Sequence, residues 1–393
     1  MWMGSGILPL DPAAVARCLD PAWSGSMLPR AAYLDDAVLD FEREQIFAAG
    51  WVCVGRSDLA AEPGDRAAVA IGAEGVVLVR GRDRQLRGFA NVCRHRGHEL
   101  LPCGSSGNGR FIACPYHAWV YDLDGSLHQV PAGHRPDVEA TGYPLLPVAV
   151  TEWHGFVFVN LTGTAGSLDD AAPGLSALVE PYRCAELRLG TTHEYDLNAN
   201  WKLVVENYHE CFHCPSIHPQ LCRVSSPTSG SDANGAGLWC GGSMELEPGV
   251  QTMALDGRSL GVPIEGLARD ALRTVWYLQL FPNMLLSLHP DYVMTHRLTP
   301  LEPGLTRVEC QWLFPPAAWT RPGFDPSYAV KFWDVTNRQD WAACESVQRG
   351  LAARGYTPGP LSSYHEVTVR ASINMVARAY LAGQSGETVE RAG

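Results

Sequence analysis

Cys93-Arg94-His95 and Cys114-Pro115-Tyr116-His117 are the two stretches of this 393-residue sequence that decide its fold. Each stretch pairs one cysteine with one histidine, and four glycines lie among the eighteen residues between the stretches. Each pair would therefore lie on a tight loop, and two such loops can clamp one metal centre from opposite sides. Two thiolates and two imidazoles fit a [2Fe–2S] centre in which histidines replace the cysteines of one iron.

A structural zinc site is the alternative for this first cluster, because zinc also accepts two cysteines and two histidines. Zinc-binding sequences usually pair Cys with Cys and His with His, whereas both pairs here are mixed. Residues 93–119 closely resemble the Rieske iron–sulfur motif, with a slightly longer segment than usual between the pairs. His98 and Cys103 have no partner at ligand spacing, so we expect them to be packing residues or neighbours of the ligands.

A second cluster of histidines and carboxylates lies within residues 200–218. Four of its members could share one face of a single helix by their spacing: Glu206, His209, Glu210 and His213. Di-iron bundles use the Glu-x-x-His unit, but they take it from two helices, and no second helix here repeats it. The other interpretation pairs His213 with His218 and requires one distant carboxylate, forming the facial triad of non-haem iron enzymes. We expect His209 to be a packed or solvent-facing residue.

The segment from Asn200-Trp201-Lys202 to His218-Pro219 is similar to the catalytic motif of the Rieske non-haem iron oxygenases. In that family the third iron ligand is an aspartate on a late helix, and Asp340 matches it. The resemblance implies a [2Fe–2S] cluster bound by Cys93, His95, Cys114 and His117. It also implies a mononuclear Fe(II) bound by His213, His218 and Asp340.

The resemblance further implies that Glu210 connects the two metal centres. This position is usually aspartate in ring dioxygenases, and glutamate is more like the oxygenases of betaine, carnitine and choline. The family also implies a head-to-tail homotrimer in which the cluster of one subunit faces the iron of the next. Electrons must come from NAD(P)H, but Gly72 and Gly75 do not form the G-x-G-x-x-G pattern of a dinucleotide site. A separate flavin or iron–sulfur reductase is therefore expected.

The remaining pattern predicts an α+β chain with two domains. Short β-branched and aromatic runs from 46 to 161 indicate an all-β Rieske domain. Residues 1–45 and 162–393 are expected to form a helix-grip catalytic domain, an antiparallel sheet with a long helix. Its helices are predicted at 36–47, 325–351 and 362–382, its linker at 163–174 and a mobile loop at 225–242.

Composition excludes several classes of function. A net charge of -12 and a pI near 5.5 oppose binding to nucleic acid or to an anionic membrane surface. The first residues lack the basic pattern of a signal peptide, so we expect none, and the longest apolar stretch, 275–288, is too short to span a bilayer. Twelve cysteines, several beside histidines, favour metal ligation over disulfides and a reducing compartment. We therefore expect a cytoplasmic protein.

The sequence thus predicts an oxygenase that uses O₂ to hydroxylate or N-demethylate a small substrate, foremost a betaine-like quaternary amine. A ring-hydroxylating dioxygenase, a Rieske electron carrier and a zinc-stabilised binding protein are the alternatives. A quaternary ammonium group would need an aromatic cage, and an aromatic substrate would use the same side chains for stacking. The candidates for the substrate pocket are Tyr208, Phe212, Trp239, Trp276, Tyr277, Phe281, Tyr292 and His296.

Overall fold

The computed structural model describes residues 6–20, 27–131, 142–163, 165–233 and 235–385. The chain divides into two compact units, one made of residues 47–165 and the other of the chain before and after it. The first unit is all-β, and the second combines an antiparallel sheet with helices. The predicted α+β fold class is confirmed. His134, one of the unassigned histidines, lies outside the described residues.

Short strands connected by tight turns build the first unit. Seven form one antiparallel sheet in the order β1-β10-β9-β4-β3-β2-β5, and three form a smaller sheet in the order β6-β7-β8. The strands are β1 (Val52–Arg56), β2 (Asp65–Ile71), β3 (Glu74–Arg80), β4 (Leu86–Ala90), β5 (Ser106–Asn108), β6 (Ile112–Ala113), β7 (Val120–Tyr121), β8 (Leu127–Gln129), β9 (Pro147–Trp153) and β10 (Phe156–Asn160). Gly72, with φ of +59°, supplies the left-handed residue of the two-residue turn between β2 and β3.

The first and last strands of this unit are neighbours. β1 pairs with β10 in antiparallel register, with Val52 opposite Val159 and Arg56 opposite Phe156. The chain therefore enters and leaves the unit through two adjacent strands. Alternating phenylalanine and valine make up the first four residues of β10, and all five of its residues are buried, as expected for a strand with both faces covered.

The second unit is built on a seven-stranded antiparallel sheet in the order β11-β17-β16-β15-β14-β13-β12. Its strands are β11 (Arg188–Leu197), β12 (Ser231–Ala233), β13 (Trp239–Glu245), β14 (Thr274–Leu280), β15 (Met284–Leu288), β16 (Val293–Glu302) and β17 (Leu305–Phe314). The antiparallel sheet predicted for this part of the chain is present. The 225–242 segment was predicted as a loop, but it contributes β12 and the start of β13. Its glycines serve close strand pairing, since a Cβ at Gly241 would lie 2.4 Å from the Tyr277 carbonyl oxygen.

The helices of this unit come before the first strand of the sheet, between β11 and β12, and after the last strand. They are α1 (Pro12–Arg17), α2 (Ala31–Leu34), α3 (Asp36–Glu42), α4 (Leu168–Ala171), α5 (Leu175–Val179), α6 (Trp201–Tyr208), α7 (Cys214–Ile217), α8 (Leu221–Val224), α9 (Ser327–Leu351) and α10 (Val367–Ser385). A π-helical turn, Arg43–Ala48, continues α3. The predicted 163–174 linker contains α4, which begins at the Ser167 cap. Within the described ranges, no helix combines the length and apolarity needed to cross a membrane.

The short helix α6 is the element that positions the second ligand cluster. Asn200 caps it as predicted, because its side chain accepts a hydrogen bond from the Lys202 amide at 3.1 Å. The helix packs against α9 and α10. Every residue from Trp201 to Glu206 is buried, so the helix is fixed from all sides.

Candidate active site

The two Cys/His pairs of the first unit lie on loops that share one hydrogen-bond pattern. Gly97 N–H donates to the Cys93 carbonyl at 3.0 Å, and Ala118 N–H donates to the Cys114 carbonyl at 3.1 Å. Both donors have positive φ, +72° for Gly97 and +54° for Ala118. Two equivalent turns, one after β4 and one after β6, therefore present the same kind of donor pair to a shared space.

Within each pair the cysteine is buried and the histidine is half-buried. Cys93 and Cys114 belong to the core of the unit at 2% and 3% exposure. The rings of His95 and His117 lie 4.7 Å apart at 78°, and Trp119 stacks on His95 at 5.0 Å. All four predicted ligands are thus brought together, which fits a cluster with thiolates on its inner iron and imidazoles on its outer iron. His98 and Cys103 are exposed and lie outside this set.

Tyr121 contacts the cluster position from within the core. Its hydroxyl oxygen accepts a hydrogen bond from the Arg94 amide at 3.0 Å and lies 3.4 Å from Cys93 Sγ. Since the amide is the donor in the first contact, the hydroxyl hydrogen remains available to the sulfur. Burial and the neighbouring Cys93 raise the pKa of Tyr121 above its usual range, so the hydroxyl stays protonated as a donor.

The second ligand set is not arranged on one helical face, which corrects the sequence analysis. Helix α6 ends at Tyr208, with His209 as its cap at φ of -91° and ψ of 2°. The chain then turns, and His213 and His218 flank the four-residue helix α7. Pro215 is the second residue of that helix, in the first turn, where its missing N–H leaves no hydrogen bond unmade. The two histidines are therefore placed by turns.

His213, His218 and Asp340 converge although Asp340 comes from the distant helix α9. His218 Nε2 lies 2.8 Å from Asp340 Oδ1, and His213 Nε2 lies 3.4 Å from the same oxygen. The two Nε2 atoms are 3.1 Å apart. Two imidazole nitrogens and one carboxylate oxygen at such distances are the donor set that non-haem iron takes in a facial triad.

Both imidazoles are oriented by partners on their other nitrogen. Glu210 accepts a hydrogen bond from His213 Nδ1, and Gln339 Oε1 lies 2.8 Å from His218 Nδ1. A proton held on each Nδ1 leaves each Nε2 lone pair facing Asp340, as a metal ligand requires. Glu210 is itself fixed, because its other oxygen accepts from the amides of Phe212 and His213.

The charges of this site favour a bound cation. Burial lowers the pKa of His213, but hydrogen bonds to Asp340 and Glu210 outweigh that effect and raise it to about 9. Burial likewise opposes ionisation of Asp340, yet His213 and His218 keep the pKa of this carboxyl below its usual value. The carboxylates attract positive charge at the point where the Nε2 atoms meet, so the residues fit a divalent metal.

A disulfide joins Cys211 and Cys214 on either side of His213. The sequence analysis favoured metal ligation over disulfides, so this bond is a correction. The turn after α6 brings the two Cα atoms to 4.9 Å, within the range that a disulfide needs. The other ten cysteines are not in a disulfide, and Cys18, Cys53 and Cys310 among them are buried.

A cavity of about 320 Å³ opens beside the three donor side chains. Five adjacent rings line one side of it in an unbroken series, with neighbouring ring centroids 5.7–6.1 Å apart. We refer to these rings as the aromatic wall: Trp333, Tyr277, Tyr208, His296 and Trp341. The Tyr208 hydroxyl donates to the Leu286 carbonyl at 2.8 Å, which fixes its ring at the centre of the wall.

Only part of the predicted substrate pocket lines this cavity. Tyr208, Phe212, Tyr277 and His296 do, but four other candidates do not: Trp239, Trp276, Phe281 and Tyr292. Trp276 precedes Tyr277 on β14, and alternate residues of a strand point to opposite faces. Tyr292 is buried on the far side of Trp333, whose Nε1 donates to its hydroxyl at 2.7 Å. Phe281 packs against Trp201, and Trp239 donates to the Pro173 carbonyl.

Two members of the aromatic wall were missed by the sequence analysis. Trp333 and Trp341 stand seven residues before and one residue after Asp340 on α9. With 3.6 residues per turn, position -7 lies on the same helical face as the ligand and position +1 lies beside that face. The predicted ligand and the helix period together contained the signal that could have found them.

His209 is buried, with Nε2 3.0 Å from Gln279 Oε1 and 3.6 Å from Cys240 Sγ. This environment agrees with the predicted packed histidine, although the residue also borders the cavity. Burial lowers its pKa to about 4, and the hydrogen bond to Gln279 opposes that shift only in part. The ring is therefore neutral at neutral pH.

Buried polar side chains from the N-terminal helices bind residues of α6. Lys202 Nζ donates to Glu42 Oε1, while Trp201 Nε1 donates to the other oxygen of the same carboxylate at 2.8 Å. The Tyr33 hydroxyl donates to Glu206 at 2.7 Å. Burial raises the pKa of Glu206 to about 7, against the opposing effects of Tyr33 and Lys202. Residues near the N-terminus thus anchor the helix that leads into the ligand turn.

Both parts of the chain match known protein families. Residues 50–149 match the Rieske [2Fe-2S] domain, and residues 184–382 match the catalytic domain of the ring hydroxylating alpha subunit. The glycine betaine monooxygenase oxygenase subunit of Chromohalobacter salexigens is 31% identical, over 91% of this chain and 88% of the relative. The carnitine monooxygenase oxygenase subunit of Escherichia coli is 41% identical, over 51% of this chain and 54% of the relative.

Solved structures match over nearly the full length. The quaternary ammonium Rieske monooxygenase CntA, solved with L-carnitine, has a TM-score of 0.76 at 26% identity, covering 94% of this chain and 99% of that one. Naphthalene 1,2-dioxygenase from Rhodococcus has a TM-score of 0.78 at 21% identity, over 94% and 98%. The second match concerns the fold alone. The matches confirm the predicted cofactors, and the chain belongs to the Rieske non-haem iron oxygenases, enzymes with a [2Fe–2S] cluster and a mononuclear iron.

Proposed function

We propose that this chain is the oxygenase component of a system that hydroxylates or N-demethylates a small quaternary amine. The observation that supports this function best is the aromatic wall beside His213, His218 and Asp340. Ring faces attract a positively charged ammonium group, most strongly where water is excluded. The relatives named for glycine betaine and carnitine oxidation support the same class of substrate.

We assign the cluster to Cys93, His95, Cys114 and His117, and the electron-storing role to residues 46–161. Residues 1–45 and 162–393 would form the catalytic domain, with the iron on His213, His218 and Asp340. When bound, the iron supplies a place where O₂ is reduced, and the cluster supplies the additional electron. The chain's own residues hold the amine against Tyr208, exclude water from the aromatic wall and keep each ligand imidazole protonated on Nδ1.

The proposed N-demethylation balances with two external electrons. One oxygen atom of O₂ enters a methyl C–H bond, and the other leaves as water after taking up two electrons and two protons. The hydroxymethyl ammonium product then releases formaldehyde and a proton, and its nitrogen keeps the electron pair as a tertiary amine. The two electrons originate from NAD(P)H and reach this chain through a separate reductase.

We also propose a homotrimer in which Glu210 connects His213 to a cluster histidine of the partner subunit. Support comes from the position of Glu210, which is partly exposed and already hydrogen-bonded to His213 Nδ1. A solved relative is described in terms of inter-subunit electron transfer. Dependence on a soluble NAD(P)H pool and on reduced cysteine ligands favours a cytoplasmic location.

A single turnover tests the proposed function. The protein would be reduced without oxygen, mixed with one compound and exposed to O₂, while cluster reoxidation and products are followed. Fast reoxidation with formaldehyde or another aldehyde, only with ammonium compounds, would support the proposal. A diol formed only from an aromatic compound would replace it with ring dihydroxylation. Reoxidation that no compound accelerates would favour the electron carrier.

A further inference from the structure

The ionisable side chains that line the cavity include several acidic groups. They comprise three carboxylates, Glu210, Asp232 and Asp340, together with histidines. No lysine or arginine is among the described residues that line the cavity. A ferrous ion adds two positive charges, and these are offset by Asp340, which binds it, and Glu210, which supports its ligand. The carboxylate of Asp232 then gives the cavity a net negative charge.

Asp232 is an exposed member of the cavity lining. It lies on β12, and its carboxylate accepts a hydrogen bond from the Thr368 hydroxyl at 2.8 Å. Phe212, which is 60% exposed, stacks on His365 at 4.8 Å and also lines the cavity. The opening therefore combines a fixed carboxylate with an aromatic surface, and both attract a cation.

These charges distinguish between two kinds of quaternary amine. A betaine carries a carboxylate as well as the ammonium group, and a buried carboxylate needs a cationic or multiply hydrogen-bonding partner. This cavity offers the ammonium group an aromatic wall, but it offers the carboxylate no basic side chain and places Asp232 against it. An amine whose far end is an uncharged hydroxyl meets only attraction.

Resting on the proposed function, we propose that the substrate is an ammonium compound without a carboxylate, such as an amino alcohol, and that Asp232 excludes carboxylate-bearing analogues. This specificity departs from that suggested by the names of the glycine betaine and carnitine relatives. The polar groups near the opening, including Thr228 and Ser243, suit a neutral hydroxyl as hydrogen-bond partners.

Choline and glycine betaine form the decisive pair, because they share a trimethylammonium group and differ in a hydroxyl against a carboxylate. Single turnovers of the full-length holoenzyme would measure cluster reoxidation over a range of each compound. We expect choline to give a roughly tenfold higher second-order rate constant, since the Asp232 carboxylate repels the carboxylate of glycine betaine but not the hydroxyl of choline. The uncharged carbon isostere of choline should be slower than choline, because it lacks the cation.

Asp232→Asn is the informative variant, since its side-chain oxygen can still accept from Thr368. It should reduce the preference for choline over glycine betaine several-fold, chiefly by improving the reaction with glycine betaine. Asp256→Asn is the matched control, because Asp256 is exposed, lies outside the cavity lining and accepts a hydrogen bond from the Arg258 amide that an asparagine oxygen can also accept. It should leave the preference unchanged.

The possible results separate this inference from the proposed function. Glycine betaine reacting as fast as choline or faster would overturn the inference and leave amine oxidation standing. An unchanged preference in Asp232→Asn would remove the assigned role of Asp232. If no ammonium compound accelerated reoxidation while an aromatic compound did, both the inference and the proposed function would fall.

Discussion

The two ligand regions of this molecule place their donor side chains in different surroundings. In the Rieske unit the two cysteines are buried, and the imidazoles of His95 and His117 lie toward the surface. At the iron site the Nε2 atoms of His213 and His218 meet Asp340 beside a cavity. A cluster exchanges only electrons, which an exposed imidazole can transmit. A catalytic iron must also admit O₂ and a substrate, which requires enclosed space next to the metal.

The strongest test of this comparison removes the only ligand that comes from a distant helix. Asp340→Asn should abolish turnover and reduce iron from about three atoms per chain to about two, because the cluster keeps its own two atoms. Iron analysis combined with the visible spectrum of the cluster measures both effects. Asp334→Asn, on the partly exposed side of the same helix, should keep all the iron. Full iron content in Asp340→Asn would contradict the assigned ligand.

A smaller effect on turnover is expected from a change at Glu210, the residue proposed to connect the two metal centres. Glu210→Gln should keep both metal centres but slow turnover by about 10- to 100-fold, since the amide holds the His213 ring less firmly and carries no charge. The rate of cluster reoxidation in a single turnover measures this step separately from product release. Normal reoxidation with intact metal content would show that Glu210 does not connect the centres.

The buried carboxyl group of Glu206 on α6 predicts a pH-dependent change in the free energy of unfolding of the catalytic unit alone. The pKa of Glu206 is raised from 4.5 to about 7. Between these pH values the folded state keeps the proton and the unfolded state releases it, so the free energy of unfolding falls as pH rises. Glu206→Gln should remove this loss and gain up to about 3 kcal/mol over the wild type above pH 7, with no gain near pH 4.5.

Denaturant unfolding between pH 5 and pH 8, followed with probes in each unit, would measure this difference. Glu44→Gln serves as the control, because Glu44 is exposed on the turn that follows α3. An advantage of Glu206→Gln that does not change with pH would mean that the carboxyl group of Glu206 is ionised throughout. A change in the transition of the Rieske unit would show that the effect is not local.

The smallest expected effect concerns the cluster itself. Tyr121→Phe should lower the reduction potential by tens of millivolts, because a hydrogen bond to a ligand sulfur stabilises the reduced, more negative cluster. Redox titration of the visible spectrum measures the shift. Tyr116→Phe is the matched control, since Tyr116 is 53% exposed beside His117 and lies outside the core. Equal potentials for both variants would show that the Tyr121 hydroxyl does not donate to Cys93.

Local spacing in the sequence was enough to single out the two Cys/His pairs and the pair His213 and His218, because few metal sites use such pairs. Asp340 lies far along the chain and was named only through the resemblance to the Rieske oxygenases, and the structure places its carboxylate beside both histidines. The fold class follows from the strand and helix patterns around these residues. The aromatic wall was harder to predict, since Trp276 and Tyr277 are equally suited to a strand. Which of the two faces the cavity depends on the register of β14, which the pairing of the whole sheet decides.

The end of α6 shows a second limit of the sequence. Helical spacing placed Glu206 and His213 on one face, and no proline or glycine interrupts the run between them. The helix nevertheless stops at Tyr208, and the turn that follows places His213 beside Asp340 of α9 while the Cys211–Cys214 bond closes the turn. Tertiary contacts overrode a local pattern, and they did so at the site itself.

The pairing of β1 with β10 makes the Rieske unit exchangeable in principle. Since the chain enters and leaves through adjacent strands, the unit behaves as a cassette with two junctions, near residues 47 and 165. Replacing the cassette requires no rethreading of the catalytic unit, whose N-terminal segment already packs against its own helix α6. Chimeras that join this catalytic unit to the corresponding cassette of a related oxygenase would test whether the reduction potential and the substrate preference vary independently.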